Sequence, residues 1–219
     1  MLDHLLSLVA PHECAGCKQT GSLLCLACSG TLPTIPERCY HCRALSPEGL
    51  TCNNCRRNSP LASVQAATEY SQAAKDLVWA LKFNHARAAV KPMTRLMHDR
   101  LLFDTDTVLV HVPTATVRIR QRGYDQADLL TRELARATRL PHYPVLARAG
   151  QSRQVGASRA ERVLHLSGAF RVRQPNLIAG KHVVLVDDVL TTGATLEAAA
   201  RVLKKAGARR VDAVVFAQA

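Results

Sequence analysis

The segment that most limits the fold of this chain reads "VVLVDDVLTTGATL" and runs from residue 183 to residue 196. Four apolar residues lead directly into two adjacent carboxylates, Asp187 and Asp188. A continuous apolar run predicts a strand that is buried on both faces, which is typical of a parallel sheet. The threonines and the glycine that follow predict a turn, and the alanine-rich stretch beyond them predicts a helix. The segment therefore predicts one strand–loop–helix unit of an α/β protein.

The chain after residue 60 continues this alternation. Apolar residues at helical spacing predict helices in "SQAAKDLVWALKF", "VKPMTRLMHDRLL", "QADLLTRELARAT" and "TLEAAARVLKKAG". Apolar runs predict strands in "TVLVHVP", "HVVLVDD" and "RVDAVVFA". In the first helix we expect Leu77, Val78 and Leu81 to face the core, with Trp79 as a further candidate. Strands that alternate with helices indicate an α/β fold with a parallel sheet.

All eight cysteines precede residue 56, in four C-x2-C pairs. This spacing lets both thiolates of a pair bind one tetrahedral ion, and four pairs predict two structural zinc ions. A disulfide framework fits poorly because the chain shows no signal peptide. Sequential pairing gives one set of Cys14, Cys17, Cys25 and Cys28 and a second set of Cys39, Cys42, Cys52 and Cys55. Interleaved pairing is the alternative. The composition changes near residues 58–60, so we expect a zinc-binding module over residues 1–58 and an α/β domain over residues 61–219.

The two carboxylates and the loop after them suggest a ligand. In a parallel α/β sheet, ligands bind beyond the carboxyl ends of the strands, where Asp187 and Asp188 are expected to lie. Two acids suit sugar hydroxyls, with or without Mg²⁺. Backbone N–H groups at a helix N-terminus, threonine hydroxyls and the flexible Gly193 suit a phosphate group. Neither G-x-x-x-x-G-K-[ST] nor G-x-G-x-x-G occurs, which excludes the P-loop and dinucleotide motifs.

Charge and hydropathy bear on partners and location. The formal net charge is +12, and residues 118–173 contain twelve arginines, no lysine and four acidic residues. Arginine favours bidentate phosphate contacts and stacks on bases, so this segment predicts single-stranded DNA or pyrophosphate as its partner. The start, "MLDHLLSLVA", lacks the basic region of a signal peptide and predicts a short helix instead. No apolar run is long enough to cross a bilayer. We expect a cytoplasmic protein without membrane insertion.

The segment "VVLVDDVLTTGAT" closely resembles the 5-phosphoribosyl 1-pyrophosphate (PRPP) signature of type I phosphoribosyltransferases. The whole chain resembles the ComF family of competence proteins, also called ComFC. That resemblance rests on the C-x2-C pairs, "LVWALKF", "RIRQRGYDQADLL", "SRAERVLHLSGAF" and the PRPP signature. It implies a type I phosphoribosyltransferase-like parallel sheet flanked by helices, with a small N-terminal zinc-binding module.

The resemblance also implies roles for individual residues. Asp187 and Asp188 would bind the ribose 2′ and 3′ hydroxyls of PRPP with Mg²⁺, and they would be the catalytic carboxylates if transfer occurs. The 5-phosphate would be held by Thr191, Thr192, Gly193, Ala194 and Thr195. Pyrophosphate would be bound by Arg118, Arg120 and Arg122, in an extended segment or a loop. Single-stranded DNA would contact Arg153, Arg159 and Arg162 in a loop at the same end of the sheet.

Two functions are compatible with these expectations. The first is a PRPP-binding protein that contacts single-stranded DNA in natural transformation, with other competence proteins such as a DNA translocase as partners. The second is an active phosphoribosyltransferase that acts on an unidentified, nucleobase-like acceptor. The sequence shows no C-terminal segment that would form a nucleobase hood, which favours the first function. The intact PRPP signature supports the second.

Overall fold

A computed structural model describes residues 12–149 and 168–219. In chain order, its strands are β1 (His12–Glu13), β2 (Thr20–Gly21), β3 (Val64–Glu69), β4 (Thr107–His111), β5 (Leu146–Arg148), β6 (Phe170–Val172), β7 (His182–Leu190) and β8 (Arg210–Gln218). Its helices are α1 (Leu26–Gly30), α2 (Asn53–Arg56), α3 (Gln72–Phe83), α4 (Val90–His98), α5 (Thr116–Arg122), α6 (Gln126–Thr138) and α7 (Ala194–Lys205). The predicted N-terminal helix lies outside the described residues.

Four strands form a parallel sheet in the order β3–β8–β7–β4. The predicted parallel α/β fold is therefore confirmed. The carboxyl ends of all four strands meet at one edge, because His111 of β4 pairs with Val186 of β7 and Gln218 of β8 pairs with Leu190 of β7. This edge holds the candidate site. The sequence patterns did not predict β3, α5 or the antiparallel pair β5–β6.

Helices cover both faces of the sheet. Val184 and Val186 of β7 pack in a core with α3, α4 and α6, whereas Val183 and Leu185 pack in a core with α7. Because successive strand residues point to opposite faces, the uninterrupted apolar run of β7 supplies both cores. Sequence alone thus accounts for the central position of this strand.

Helix α3 largely follows its predicted pattern. Leu77, Val78 and Leu81 are buried, as expected from their helical spacing. Trp79 was also a candidate for the core, but this expectation is wrong because its residue is 54% exposed. Its indole lies beside Phe83, with ring centroids 4.3 Å apart, on the solvent side of the helix.

The cysteine-rich segment packs directly against the α/β core. Leu50 forms a β-bridge with Ser63, and the Thr51 N–H donates to the Ala62 carbonyl at 2.8 Å. The Thr68 hydroxyl of β3 donates to the Pro33 carbonyl at 2.8 Å. Hydrogen bonds therefore connect the segments on either side of residues 58–60, where the sequence composition changes. Among the described residues, no helix combines the length and the apolar character that crossing a membrane requires.

Candidate functional site

The two carboxylates lie near the carboxyl end of β7, which runs on to Leu190. Asp188 is buried, and its Oδ2 atom lies 2.8 Å from the Lys82 ammonium group of α3. Asp187 is half-buried, and its Oδ1 atom accepts a hydrogen bond from the Asp188 N–H at 2.8 Å. Asp188 is therefore paired with a cation. Among the described residues, no cation lies at a similar distance from Asp187.

The surroundings of Asp187 change the pKa of its carboxyl group. Burial, followed by the neighbouring Asp188 carboxylate, raises the pKa of Asp187 to about 8. Near neutral pH this carboxyl group is therefore largely protonated in the ligand-free protein. A ligand that brings hydroxyl donors or a cation to Asp187 would favour its charged form and release the proton.

The raised pKa of Asp187 predicts how the stability of the folded protein changes with pH. Unfolded aspartate has a pKa of about 3.9, so the folded chain keeps a proton that the unfolded chain releases as the pH rises from about 4 to about 8. The stability linked to this proton is present below about pH 4 and is lost as the pH approaches about 8. Asp187→Asn stays neutral at every pH, so we expect its Tm advantage over the unchanged protein to be larger at about pH 8.5 than at about pH 5. Thermal unfolding at the two pH values measures this difference, and an advantage that does not grow with pH contradicts it.

The loop after β7 has the geometry expected of an anion site. Gly193 adopts the left-handed conformation, with φ of 79°, immediately before α7 begins. The Ala194 N–H lies 3.4 Å from the Thr192 hydroxyl oxygen. The first N–H groups of a helix lack partners within the helix, and the helix dipole favours negative charge at this end. Thr191 and Thr192 are exposed, so their hydroxyls can reach a bound anion.

Tyr40, from the cysteine-rich segment, packs against this loop. A Cβ atom at Gly193 would lie 3.1 Å from the Tyr40 ring, which is a tight contact, and the positive φ of this residue also favours glycine. The Tyr40 hydroxyl donates to Glu197 Oε1 of α7 at 2.9 Å and also bonds to the Ser59 hydroxyl. Tyr40 thus connects the segment around the second set of cysteines to the first turn of α7. The sequence carries no signal for this contact, because it joins residues that are remote along the chain.

A second loop, residues 112–115, borders the carboxylates. The Val112 N–H donates to the Val186 carbonyl at 3.0 Å, which places this loop beside Asp187. Asp125 fixes the loop by accepting from the Thr114 N–H at 2.8 Å and from the Thr114 hydroxyl at 3.0 Å. The same carboxylate caps α6 by accepting from the Ala127 N–H. One acid therefore holds both the loop and the next helix in place.

Two cations at this site were missed by sequence reasoning. Lys82 pairs with Asp188 from α3. Arg148 donates from Nε to the Pro113 carbonyl at 2.8 Å, and its guanidinium lies 5.2 Å from the Phe170 ring centroid. Lys82 lies in the quoted segment "LVWALKF", whose apolar spacing predicts the buried face of the helix and gives no role to the lysine. Arg148 ends a three-residue strand, and its position beside the loop depends on tertiary structure.

The three arginines expected to bind pyrophosphate lie on α5 and not in an extended segment or loop. Arg122 is buried; it donates to Gln126 Oε1 at 2.9 Å, and its guanidinium lies 5.2 Å from the Phe83 ring centroid. Arg118 and Arg120 are exposed. The helix therefore does not bring all three guanidinium groups to one surface. Arg153, Arg159 and Arg162 lie outside the described residues.

An open pocket of about 510 Å³ lies beside the Lys82–Asp188 pair. Its lining combines exposed aromatic rings with cations: Tyr70, Lys75, Trp79, Lys82, Phe83, His85, Arg118, Gln121 and Arg122. Among the described residues that line it, none is acidic. Such a surface suits a ligand that has both negative charge and a flat ring.

The cysteines form two clusters, and the structure groups them in chain order. The first contains Cys14, Cys17, Cys25 and Cys28; the second contains Cys39, Cys42, Cys52 and Cys55. Within each cluster the four sulfur atoms lie within 4.8 Å of one another. Zinc–sulfur bonds of about 2.3 Å place tetrahedral ligands about 3.8 Å apart. The Cys17–Cys25 and Cys42–Cys52 sulfur pairs are 3.9 and 3.6 Å apart, which fits a zinc ion in each cluster.

The protonation of these thiols supports the same assignment. Burial alone would raise the pKa of Cys14, but the N–H groups of Cys25, Cys17 and Gly16 outweigh it and lower that pKa to about 6. The pKa of Cys28 is raised to about 12, first by its hydrogen bond with the Cys25 side chain. Four sulfurs this close cannot all ionise without a cation between them. A bound divalent ion removes that restriction.

The two clusters share a local backbone geometry. Lys18 and Arg43, each directly after the second cysteine of a pair, adopt the left-handed conformation, with φ of 62° and 65°. The Lys18 N–H donates to the Cys14 carbonyl, and the Arg43 N–H donates to the Cys39 carbonyl. In the first cluster, a Cβ atom at Gly16 would lie 2.6 Å from the Cys28 sulfur, so the close approach requires glycine. The first C-x2-C pair of each cluster therefore forms the same turn, which suits a pair of metal ligands.

Comparisons with known proteins agree with this architecture. A family profile described as "Phosphoribosyl transferase domain" matches residues 100–219. The chain is 28% identical over 220 residues to DNA utilization protein YhgH of Escherichia coli O6:H1, covering 94% of this chain and 96% of that protein. It is 28% identical over 208 residues to Competence protein F of Haemophilus influenzae, covering 90% of each chain. It is 36% identical over 104 residues to Competence protein ComFC of Bacillus subtilis, covering 48% of this chain and 41% of that protein.

Proposed function

Since this chain belongs to the phosphoribosyl transferase domain family and its relatives are consistent with the ComF family, we propose that it binds PRPP and single-stranded DNA during DNA uptake or utilisation. The names of the relatives, competence protein and DNA utilization protein, support the cellular process. The cytoplasm is the proposed location, since a protein with these roles would meet DNA after its uptake. Other competence proteins, such as a DNA translocase, are the proposed partners.

The proposal of PRPP binding is carried by one observation: two acids and a helix N-terminus meet at the carboxyl edge of the sheet. Asp187 and Asp188 would accept hydrogen bonds from the ribose hydroxyls, and their charge would attract Mg²⁺ bound to PRPP. The loop residues Thr191 to Thr195 would surround the 5-phosphate at the start of α7. Mg²⁺ would neutralise part of the pyrophosphate charge. Arg118 is the arginine of α5 whose exposure and pocket position suit the pyrophosphate, with Arg148 nearby.

Single-stranded DNA binding is supported by the aromatic and cationic pocket beside Lys82. Bases stack on exposed aromatic rings without regard to sequence, and cations along the same surface neutralise phosphates. Trp79 and Phe83 offer adjacent rings, while Lys75 and Arg118 provide charge. Arg153, Arg159 and Arg162 stay part of the proposal, as further phosphate contacts. The strand would thus pass close to the proposed PRPP site.

Replacing Trp79 tests this surface. Loss of one base–aromatic stack costs about 1–3 kcal/mol, so we expect Trp79→Ala to weaken binding of a short oligothymidine by about fivefold or more. Phe103→Ala is a matched control, because Phe103 is 51% exposed and does not line this pocket. Fluorescence anisotropy with labelled oligothymidine measures both affinities. Equal affinities for Trp79→Ala, Phe103→Ala and the unchanged protein would place DNA binding elsewhere on the chain.

The pocket also favours a second candidate function, transfer of phosphoribose to an acceptor. Its volume of about 510 Å³ suffices for a nucleobase, and its Lys82 side chain is paired with Asp188. Release of pyrophosphate from PRPP distinguishes the two functions. A binding protein releases none in the presence of Mg²⁺ and single-stranded DNA or free bases, whereas a transferase releases one pyrophosphate for each acceptor modified.

A further inference from the structure

Three side chains outside the proposed PRPP site converge beside the end of β4. His111 is the last residue of β4, Asp128 lies in the first turn of α6, and His142 lies next to Leu109 in a parallel β-bridge. His111 Nδ1 is 3.1 Å from His142 Nε2. Asp128 Oδ1 is 3.7 Å from His111 Nδ1 and 3.8 Å from His142 Nε2. Three potential ligand atoms therefore face one another.

These distances suit a single metal ion. Zinc bonds of about 2.0–2.1 Å to nitrogen and oxygen place tetrahedral ligand atoms about 3.3 Å apart, so small shifts of the side chains would complete the site. The side chains of His111, His142 and Asp128 are 10%, 12% and 19% exposed. The cluster is thus largely enclosed, yet an ion from solvent can enter it. It shares no residue with either cysteine cluster.

Hydrogen bonding within the cluster leaves one atom unsatisfied. A single proton between His111 Nδ1 and His142 Nε2 satisfies both nitrogens. Asp128 Oδ1, however, is buried, and among the described residues no donor lies within hydrogen-bond distance of it. A buried carboxylate oxygen without a partner is costly, and in a native protein it calls for an ion, a water or another donor. The other oxygen, Oδ2, lies 2.8 Å from Arg132 Nε, which holds the carboxylate in this orientation.

We propose that His111, Asp128 and His142 bind a divalent first-row transition metal ion, for which Zn²⁺ is the best match to two imidazoles and a carboxylate. Imidazole suits zinc and its neighbours, whereas Mg²⁺ and Ca²⁺ prefer oxygen ligands only. Arg132 orients the ligating carboxylate from outside the ligand set, a common arrangement at metal sites. A fourth position is open to water, because three protein ligands do not fill a tetrahedron.

An ion at this site would stabilise the fold, because its ligands come from three parts of the chain. The ion would join β4, the segment at His142 and α6. Asp125, which caps α6 just before the turn that contains Asp128, holds Thr114 of the loop at residues 112–115. The ion would therefore stabilise the framework behind that loop. This inference does not depend on PRPP or DNA binding.

Metal content of the full-length chain tests the proposal. The unchanged protein, Asp128→Asn and His142→Gln are each equilibrated with excess Zn²⁺, separated from unbound metal by gel filtration and analysed for zinc per chain. We expect each variant to hold one equivalent less than the unchanged protein. His98→Gln is the matched control, because His98 is exposed and, among the described residues, pairs only with Asp99, at 3.5 Å. It should keep the full zinc content.

Circular dichroism and thermal unfolding establish that the variants are folded. His142→Gln supplies a second test if Asp128→Asn fails to fold, since Asp128 also pairs with Arg132. Titration of the cysteines with a thiol reagent in Zn²⁺ should give the same protection in all four proteins, which assigns the lost ion to the histidine cluster. Equal zinc contents in the unchanged protein and both folded variants would overturn the proposal.

Discussion

Cys39→Ser should remove one zinc ion from the second cysteine cluster and unfold the segment around it. Structural zinc contributes apparent free energies of about 10–16 kcal/mol in zinc-finger peptides, and this segment has few large apolar side chains to replace that contribution. Cys39 is fully buried, so a serine there leaves a polar hydroxyl in a site built for sulfur. We expect zinc per chain to fall by one equivalent and Tm to drop by more than about 10 °C, because about 1 kcal/mol shifts Tm by about 2–4 °C in a chain of this size.

His41→Ala is the matched control for this change. His41 lies between Cys39 and Cys42 but is exposed and is not part of the cluster. We expect it to leave both the zinc content and Tm close to those of the unchanged protein. Elemental analysis and differential scanning calorimetry measure the two quantities. A Cys39→Ser protein with its full zinc content and an unchanged Tm would show that no structural ion depends on this thiolate.

The second large effect concerns PRPP. Changing Asp187 and Asp188 together to asparagine removes two carboxylates that would be charged acceptors in the PRPP complex but keeps the shape of both side chains. Hydrogen bonds to charged groups contribute about 1.5–3 kcal/mol each, so we expect the affinity for PRPP in Mg²⁺ to fall at least tenfold. Isothermal titration calorimetry measures it directly. Asp106→Asn is the control, because Asp106 precedes β4 and lies at the opposite end of the sheet.

Folding must be checked at the temperature of the titration. Asp188→Asn leaves Lys82 without its carboxylate partner, which by itself lowers stability. If the double variant is folded and binds PRPP as tightly as the unchanged protein, the two acids do not contact the sugar. A similar loss in Asp106→Asn would point to a general electrostatic effect and not to the site.

The parts of the fold that sequence predicted are those with strong local patterns. The apolar runs of β4, β7 and β8 identify strands of a parallel sheet, because both faces of such strands are buried. Strand β3 was not predicted because "VQAATE" mixes small and polar residues. Its place in the sheet comes from pairing with β8. Helix α5 was not predicted because its seven residues are too few to establish an amphipathic period.

The candidate site, like the fold, was predicted only where its residues stand close together in the sequence. Acids, threonines and glycine stand together in the sequence around β7, so their proximity could be predicted. Lys82 and Arg148 reach the same edge from elements far along the chain, and no local pattern encodes such distances. Arg122 shows the limit of a local pattern: Arg118, Arg120 and Arg122 stand close together in the sequence, but only the fold reveals that Arg122 is largely buried, with its guanidinium beside Gln126 and Phe83.

The contact of Tyr40 with Gly193 has a consequence for dissecting and recombining this protein. A chain that begins at residue 61 would keep the sheet strands but would uncover Gly193 and Leu61, and Pro33 would no longer accept from Thr68 of β3. Exchange of the cysteine-rich segment between relatives would have to preserve an aromatic ring above a glycine. The two regions are therefore expected to be inherited as a matched pair, with substitutions at one position constrained by the residue at the other.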